Sequence, residues 1–173
     1  MTMRPISAQI DLPAMERSIL DFWRTHSIFQ ASTAARVGAQ PWTFYEGPPT
    51  ANGMPGTHHI EARVFKDVFP RYQTMKGKYV TRKAGWDCHG LPVEIAVEKE
   101  LGFSGKGDIE KYGIAAFNEM CRESVTRHVG AFTTMTNRMG FWVDFDQAYW
   151  TMAPEYVESV WWSLKEIWKK GLL

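Results

Sequence analysis

Apolar residues near the start of the chain recur at helical spacing: Met15, Ile19, Phe22 and Trp23 fall on one face. Asp11 stands before them as an N-cap, and Pro13 sits in the first turn, where its missing N–H is no loss. Residues 30–40 are small and polar, which predicts a connector. Residues 42–46 have the aromatic make-up of a strand (Trp42, Thr43, Phe44, Tyr45, Glu46). Gly47-Pro48-Pro49 stops it, because proline cannot donate to a central ladder. A Gly- and Pro-rich loop follows to Gly56. Ile60, Val64, Val68, Tyr72 and Met75 then mark a helix up to Gly77, with Pro70 expected to kink it.

Residues 78–82 read as a second strand running into Gly85-Trp86-Asp87-Cys88-His89-Gly90. Pro92 and Gly102 bracket a short helix. Asp108 is placed to cap a longer helical region carrying Phe117, Cys121, Val125, Phe132 and Met135. A last helix is predicted from about 154 to 170, acidic at Glu155 and basic at Lys169 and Lys170, as the helix dipole favours. Strand, loop, helix, strand, helix is a βαβ unit, which opens a doubly wound parallel sheet. The expected fold class is therefore α/β: the first half of a Rossmann-type doubly wound parallel sheet, preceded by an N-terminal helix. Two strands cannot complete such a sheet, so it is expected to be incomplete here and the chain to be a piece of a longer one.

Composition narrows the function classes. The 173 residues are 45% hydrophobic and 23% charged, which fits a globular domain and argues against disorder. No apolar run reaches roughly 18 residues, so no membrane span is expected. The opening Met1-Thr2-Met3-Arg4-Pro5-Ile6-Ser7 lacks the apolar stretch of a secretory signal. Cys88 and Cys121 make no disulfide framework, and a cytoplasmic location is expected. Lys and Arg number 20 against 19 Asp and Glu, which removes the basic excess of a free-standing nucleic-acid binder. Eight tryptophans and ten phenylalanines imply a large interior or an interface. Trp161, Trp162 and Trp168 on the last helix are expected in a core or against further chain.

Two loops carry the candidate chemistry. The segment from Glu46 to His59 leaves a strand and enters a helix, where open α/β sheets bind ligands. The unpaired N–H groups of that helix start suit phosphate, and His58 and His59 add donors. The same residues also read as a Pro/Gly turn followed by two surface histidines. In the second loop Asp87 suits a cationic group or, equally, a cap. Cys88 beside His89 is a poor nucleophile–base pair, because neighbours in extended chain point to opposite faces. His58, His59, Cys88 and His89 lack any metal-binding spacing. The Gly-Lys pair near Lys106 lacks the spacing of a phosphate loop and reads as a plain loop.

Taken together, Phe44-Tyr45-Glu46-Gly47-Pro48-Pro49-Thr50-Ala51-Asn52-Gly53 and Lys83-Ala84-Gly85-Trp86-Asp87-Cys88-His89-Gly90-Leu91-Pro92-Val93-Glu94 resemble the N-terminal part of the bacterial isoleucyl-tRNA synthetase family. The resemblance extends over nearly the whole chain, including Lys66-Asp67 and Arg71-Tyr72. It implies a class I Rossmann-type catalytic domain that makes isoleucyl-adenylate from L-isoleucine and ATP with Mg2+, then charges tRNA(Ile). Residues 1–40 would be an N-terminal helical extension and connector. Residues 41–173 would be the N-terminal half of the catalytic domain, truncated before the editing insert.

By position, Gly47, Pro48 and Asp87 would bind isoleucine, Asp87 through its ammonium group. Asn52, Gly56, Thr57, His58 and His59 would bind ATP, with His58 and His59 as the catalytic pair acting by positioning and electrostatics. No metal would be held by this segment itself. The partners implied are L-isoleucine, ATP, the rest of the synthetase chain, and tRNA(Ile) through regions mostly outside this segment; no membrane is implied. The family's HxGH signature is permuted here to Gly56-Thr57-His58-His59, so His59 matches while Gly56 and His58 exchange places. His58 would then have to be turned aside for a nucleotide to enter. The rival readings are a non-catalytic relic or binding module, and a synthetase for valine or leucine.

Overall fold

Asp11 begins the first helix: its side chain accepts the Ala14 N–H at 3.0 Å, ahead of α1, Leu12–Thr25. The structure is a computed structural model that describes residues 9–173. The first eight residues of the expected 1–40 extension, including the opening segment read for a signal, lie outside the described residues. The connector expected over 30–40 is partly helical, because α2, Ile28–Ala34, follows α1 directly. Ala31 and Ala34 favour helix over coil, and the half-buried Phe29 stacks on Trp142 at 5.8 Å. The predicted apolar face of α1 is only partly used: Trp23 packs edge-on to Trp142 at 5.0 Å, while Met15, Ile19 and Phe22 stay exposed.

The first predicted strand is not one. Gln40 and Trp42 pair with Tyr79 through single backbone bonds of 3.0 and 2.9 Å, and residues 43–46 belong to no strand. A strand exists only where a neighbour supplies donors and acceptors, and Tyr79 is the last neighbour on offer among the described residues. The helix α3, Thr57–Met75, continues through Pro70 as one element of 19 residues. The second strand is displaced from 78–82 to β1, Lys83–Trp86. The displacement has a cause that local pattern does not contain: the partner of β1 is a strand some sixty residues downstream.

After β1 the chain forms α4, Leu91–Leu101, with Pro92 in its first turn and Gly102 in the left-handed conformation at its end (φ 71°). The longer helical region expected after Asp108 is made of three helices: α5, Lys106–Tyr112; α6, Ile114–Thr126; and α7, Val129–Arg138. Gly113 (φ 104°) separates the first two. Asp108 lies inside α5 rather than capping it, and its carboxylate accepts the Ser104 N–H and hydroxyl, both at 2.9 Å. β2, Asp144–Trp150, then pairs parallel to β1, and α8, Pro154–Lys169, follows as predicted. The parallel arrangement holds with a different pair of strands from those expected.

The core sits under β1. Trp86 packs against Phe145, Trp150 and Phe132 with ring centroids 6.0, 5.8 and 6.3 Å apart. Ala51, Cys88, Val93 and Val125 close the cluster around it. Glycine is required at position 85, because a Cβ there would stand 2.4 Å from the Tyr149 ring, its partner across the ladder. A second cluster fastens α1 and α2 to α3: the Arg71 guanidinium lies 4.0 Å from the Trp142 ring centroid and pairs with Asp67 at 2.6 Å. Arg82 is buried beside it, and desolvation draws its pKa down to about 10 against the opposing pull of Asp67.

The stripe Ile60, Val64, Val68, Tyr72 and Met75 faces outward, whereas Arg63 and Thr74 are buried. Trp161, Trp162 and Trp168 are likewise exposed, at 67, 65 and 65%, so they belong to no core among the described residues. Two glycines give a stability test of opposite sign. Gly85→Ala is expected to lower unfolding free energy by ~1–3 kcal/mol through overpacking against Tyr149. Gly107→Ala, inside α5 with nothing within 4 Å of its Cβ, is expected to raise it by ~0.5–1 kcal/mol. Denaturant titration of both variants measures the contrast.

Candidate active site

Pro48 and Pro49 have no N–H to give, so the loop between the extended segment and α3 is held through its carbonyls. The Asp87 N–H donates to Pro49 O at 2.9 Å, joining the two candidate loops directly. Lys66 Nζ donates to Gly47 O at 3.1 Å and pairs with the buried Glu46 carboxylate. The Tyr149 hydroxyl donates to Glu46 O at 3.0 Å. Further along, Ala51 O accepts the His128 N–H at 3.0 Å, and Asn52 Nδ2 donates to Pro92 O at 3.2 Å. Gly47, Pro48 and Asp87 are thus brought together. Asn52 is tied to the start of α4 and spends an amide proton there.

Gly56 is the N-cap of α3, and Thr57, His58 and His59 form its first turn. The Gly56 N–H donates to His59 Nδ1 at 3.0 Å, while the His59 N–H donates to Gly56 O at 3.0 Å. A nitrogen that accepts an N–H carries no proton, so the neutral His59 ring keeps its proton on Nε2. Burial, then the neighbouring His58, Arg63 and Lys66, hold its pKa below the usual histidine value. His59, Arg63 and Lys66 follow helical spacing, and Arg63 Nη1 donates to His59 O at 3.2 Å. This end of α3 therefore combines the positive dipole terminus with the Arg63 cation and a neutral N–H donor, while Lys66, at mid-helix, is paired with Glu46.

His58 packs against the start of α3. Its ring lies 3.9 Å from that of His59 and folds back over Gly56, where a Cβ would stand 3.0 Å from His58 Cε1. The exchange of glycine and histidine within the signature is therefore sterically linked: the ring occupies the space that the glycine leaves.

Asp87 follows β1 and does two things. Oδ1 accepts the His89 N–H at 3.2 Å, which is the capping role, and Oδ2 accepts from the Thr50 hydroxyl at 3.4 Å. Cys88 and His89 do not pair with each other. The Cys88 N–H and His89 Nδ1 both meet Thr151 Oγ1, at 2.8 and 2.9 Å, and the Cys88 thiol contacts Trp86 O. Cys88, Cys121 and Met152 line a cavity of about 260 Å3, where burial and Glu94 raise the Cys121 pKa away from thiolate character. Among the described residues, no three His, Cys, Asp or Glu side chains converge as a metal-ligand set. Sequence reasoning missed Tyr149 and Arg63 as neighbours of the site. Tyr149 was hidden because β2 was not recognised; Arg63 was legible as a cation one turn beyond His59.

The family profile described as tRNA synthetases class I (I, L, M and V) matches residues 18–173. This chain belongs to that family. The curated isoleucine–tRNA ligases of Cutibacterium acnes and Streptomyces avermitilis are each 69% identical to it, over 97 and 98% of this chain. That of Thermus thermophilus is 52% identical over 94% of it. The chain spans only 15, 16 and 16% of the length of these three relatives. A leucyl synthetase from Agrobacterium radiobacter, solved with tRNA and LeuAMS, superposes with a TM-score of 0.56. It shares 22% identity over 95% of this chain and 18% of its own, a likeness of fold.

Class I synthetases use ATP, and their Rossmann-like catalytic fold accounts for the parallel pair β1–β2. Among the described residues of this class I chain, no helix is long and apolar enough to cross a membrane. The lowered pKa of His59 carries a pH prediction. Because the unfolded ring binds protons at higher pH than the folded one, His59 contributes stability that is present above about pH 6.5 and lost as pH falls through its folded value. Imidazole NMR should show His59 titrating below 6.5. A midpoint at or above that value would contradict the Nδ1 acceptor geometry.

Proposed function

We propose that this chain is the N-terminal segment of an isoleucine–tRNA ligase and contributes the first half of its adenylate-forming site. Residues 1–40 are its helical extension and connector, and 41–173 begin the catalytic domain ahead of the editing insert. The observation that carries the geometric part is the Asp87 N–H bond to Pro49 O, which ties the carboxylate-bearing residue after β1 to the Gly47–Pro48–Pro49 loop that leads into α3. The 69% identity to proteins named isoleucine–tRNA ligase favours isoleucine over its branched relatives.

In this reading Asp87 accepts the isoleucine ammonium, a charge-assisted contact, while Gly47 and Pro48 face its side chain. A Cβ at Gly47 would meet nothing of the chain within 4 Å, so glycine there keeps the space beside Pro48 open rather than serving the fold. ATP lies with its phosphates toward Gly56, Thr57, His58 and His59, with Asn52 at the rim. Mg2+ enters on ATP and screens its phosphates. The isoleucine carboxylate oxygen attacks the α-phosphorus, forming one P–O bond as the bond to pyrophosphate breaks. The His59 Nε2–H and the helix terminus hold the charge that moves onto phosphate oxygens. The isoleucyl group then passes from AMP to the terminal ribose of tRNA(Ile), in the cytoplasm.

The test is isoleucine-dependent ATP–pyrophosphate exchange by the full-length ligase carrying this segment, run beside valine and leucine. Isoleucine is expected to give the highest kcat/KM; no exchange with any of the three would favour a relic. Asp87→Asn should raise the isoleucine KM far more than the ATP KM, by ~2–5 kcal/mol, the cost of leaving a desolvated charge unpaired. The 173 residues alone are expected to give no exchange above a no-enzyme control, since the remainder of the site lies in the rest of the ligase.

A further inference from the structure

The loop that faces isoleucine in the reading above cannot hold itself in place. Two consecutive prolines remove its donors, and its fixed points are three carbonyls caught by groups from elsewhere: Glu46 O by Tyr149, Gly47 O by Lys66, and Pro49 O by the Asp87 N–H. The first two donors come from different elements. Tyr149 belongs to β2 and reaches across β1 only because position 85 is glycine, a Cβ there standing 2.4 Å from its ring. Its ring is steadied by parallel stacking on Tyr156 at 5.7 Å, with 2° between the planes. Lys66 comes from α3 and is anchored by Glu46, whose side chain is only 4% exposed. A buried carboxylate fixes the ammonium, and the ammonium fixes the next carbonyl.

We infer that Tyr149 and Lys66 are positioning residues for amino-acid recognition: they set the height of the Gly47–Pro48 backbone above Asp87 and so the depth of the pocket for the branched side chain. The inference rests on the assignment of that loop to isoleucine. Neither side chain need touch the amino acid. Each acts through a carbonyl of the loop, and neither reaches the start of α3, where the ATP phosphates are placed. The brace also connects sheet, helix and loop, so binding of the side chain would be felt by both secondary-structure elements.

Tyr149→Phe in the full-length ligase removes one hydroxyl and keeps the ring. The isoleucine KM is expected to rise about fivefold, the scale of one neutral hydrogen bond, with the ATP KM and kcat within about twofold. Discrimination between isoleucine and valine should narrow, since the pocket depth is no longer fixed. Lys66→Met should act in the same direction and more strongly, and Lys66→Arg, which keeps a charged donor, should recover part of the loss. Tyr156→Phe, which keeps the stack, should change none of these values. Amide hydrogen exchange of the peptide containing Asp87 supplies a readout independent of activity, and Tyr149→Phe should speed it. An unchanged isoleucine KM in Tyr149→Phe overturns the inference, as does a matching rise in the ATP KM, which would mark a general loss of structure. If the unaltered ligase shows no isoleucine-dependent exchange, the functional reading fails. In that case unchanged Asp87 exchange in Tyr149→Phe overturns the brace itself, and faster exchange upholds the brace as a determinant of loop position.

Discussion

The parallel pairing of β1 with β2 is the contact on which the candidate site depends. It sets Gly85 opposite Tyr149 and Trp86 opposite Trp150. From that register follow the Tyr149 reach to Glu46, the aromatic packing of Trp86, and the position of Thr151 beneath Cys88 and His89. A slip of one residue would turn Trp86 out of the core and aim Tyr149 away from the loop. Parallel strands need a long crossover, and α4 to α7 supply it, so the helices between the strands serve mainly to return the chain in register.

Elements bounded by local signals were legible before any coordinates. Asp11 with Pro13, Gly102 after α4, and the charge gradient of α8 each announce a helix end through their own backbone chemistry. The strands were not legible, because strand identity is decided by the partner. Residues 42–46 have strand-like side chains and lack a ladder, whereas the polar-looking Asp144–Trp150 has one. The division of the helical region after Gly105 into three was not legible for a related reason: the positive φ of Gly113 separates α5 from α6, and the chain turns again at Arg127–His128, which the apolar spacing does not mark. Pattern also misplaced the inside of α3, where buried Arg63 meets Thr136 at 2.9 Å and the apolar stripe lies outside.

The candidate site was legible as loops and helix start, and not as a network. Motif reading placed His59 at the α3 terminus and Asp87 after a strand, and both stand there. It could not show that His59 gives its Nδ1 to its own helix cap and is partly buried there, nor that Asp87 uses its backbone for Pro49 and its side chain for Thr50 and His89. These are long-range facts. The electrostatic character of the α3 terminus is likewise a product of assembly: Arg63 and Lys66 become neighbours of His59 only once the helix has formed, and Glu46 then neutralises one of them.

The packing of His58 over Gly56 has a consequence for how sequences of this kind can change. A side chain added at 56 while His58 is in place must push an imidazole that already touches His59. Removing the ring at 58 first takes away the contacts that a Cβ at 56 would meet within 4 Å. Of the two single-step routes between the arrangements of the signature, the one through a double-glycine intermediate meets no such contact, whereas the one through a double-histidine intermediate requires the ring at 58 to shift. Lineages drifting by single substitutions would cross between them in one order, and the steric history of the pair would be written in which intermediates survive.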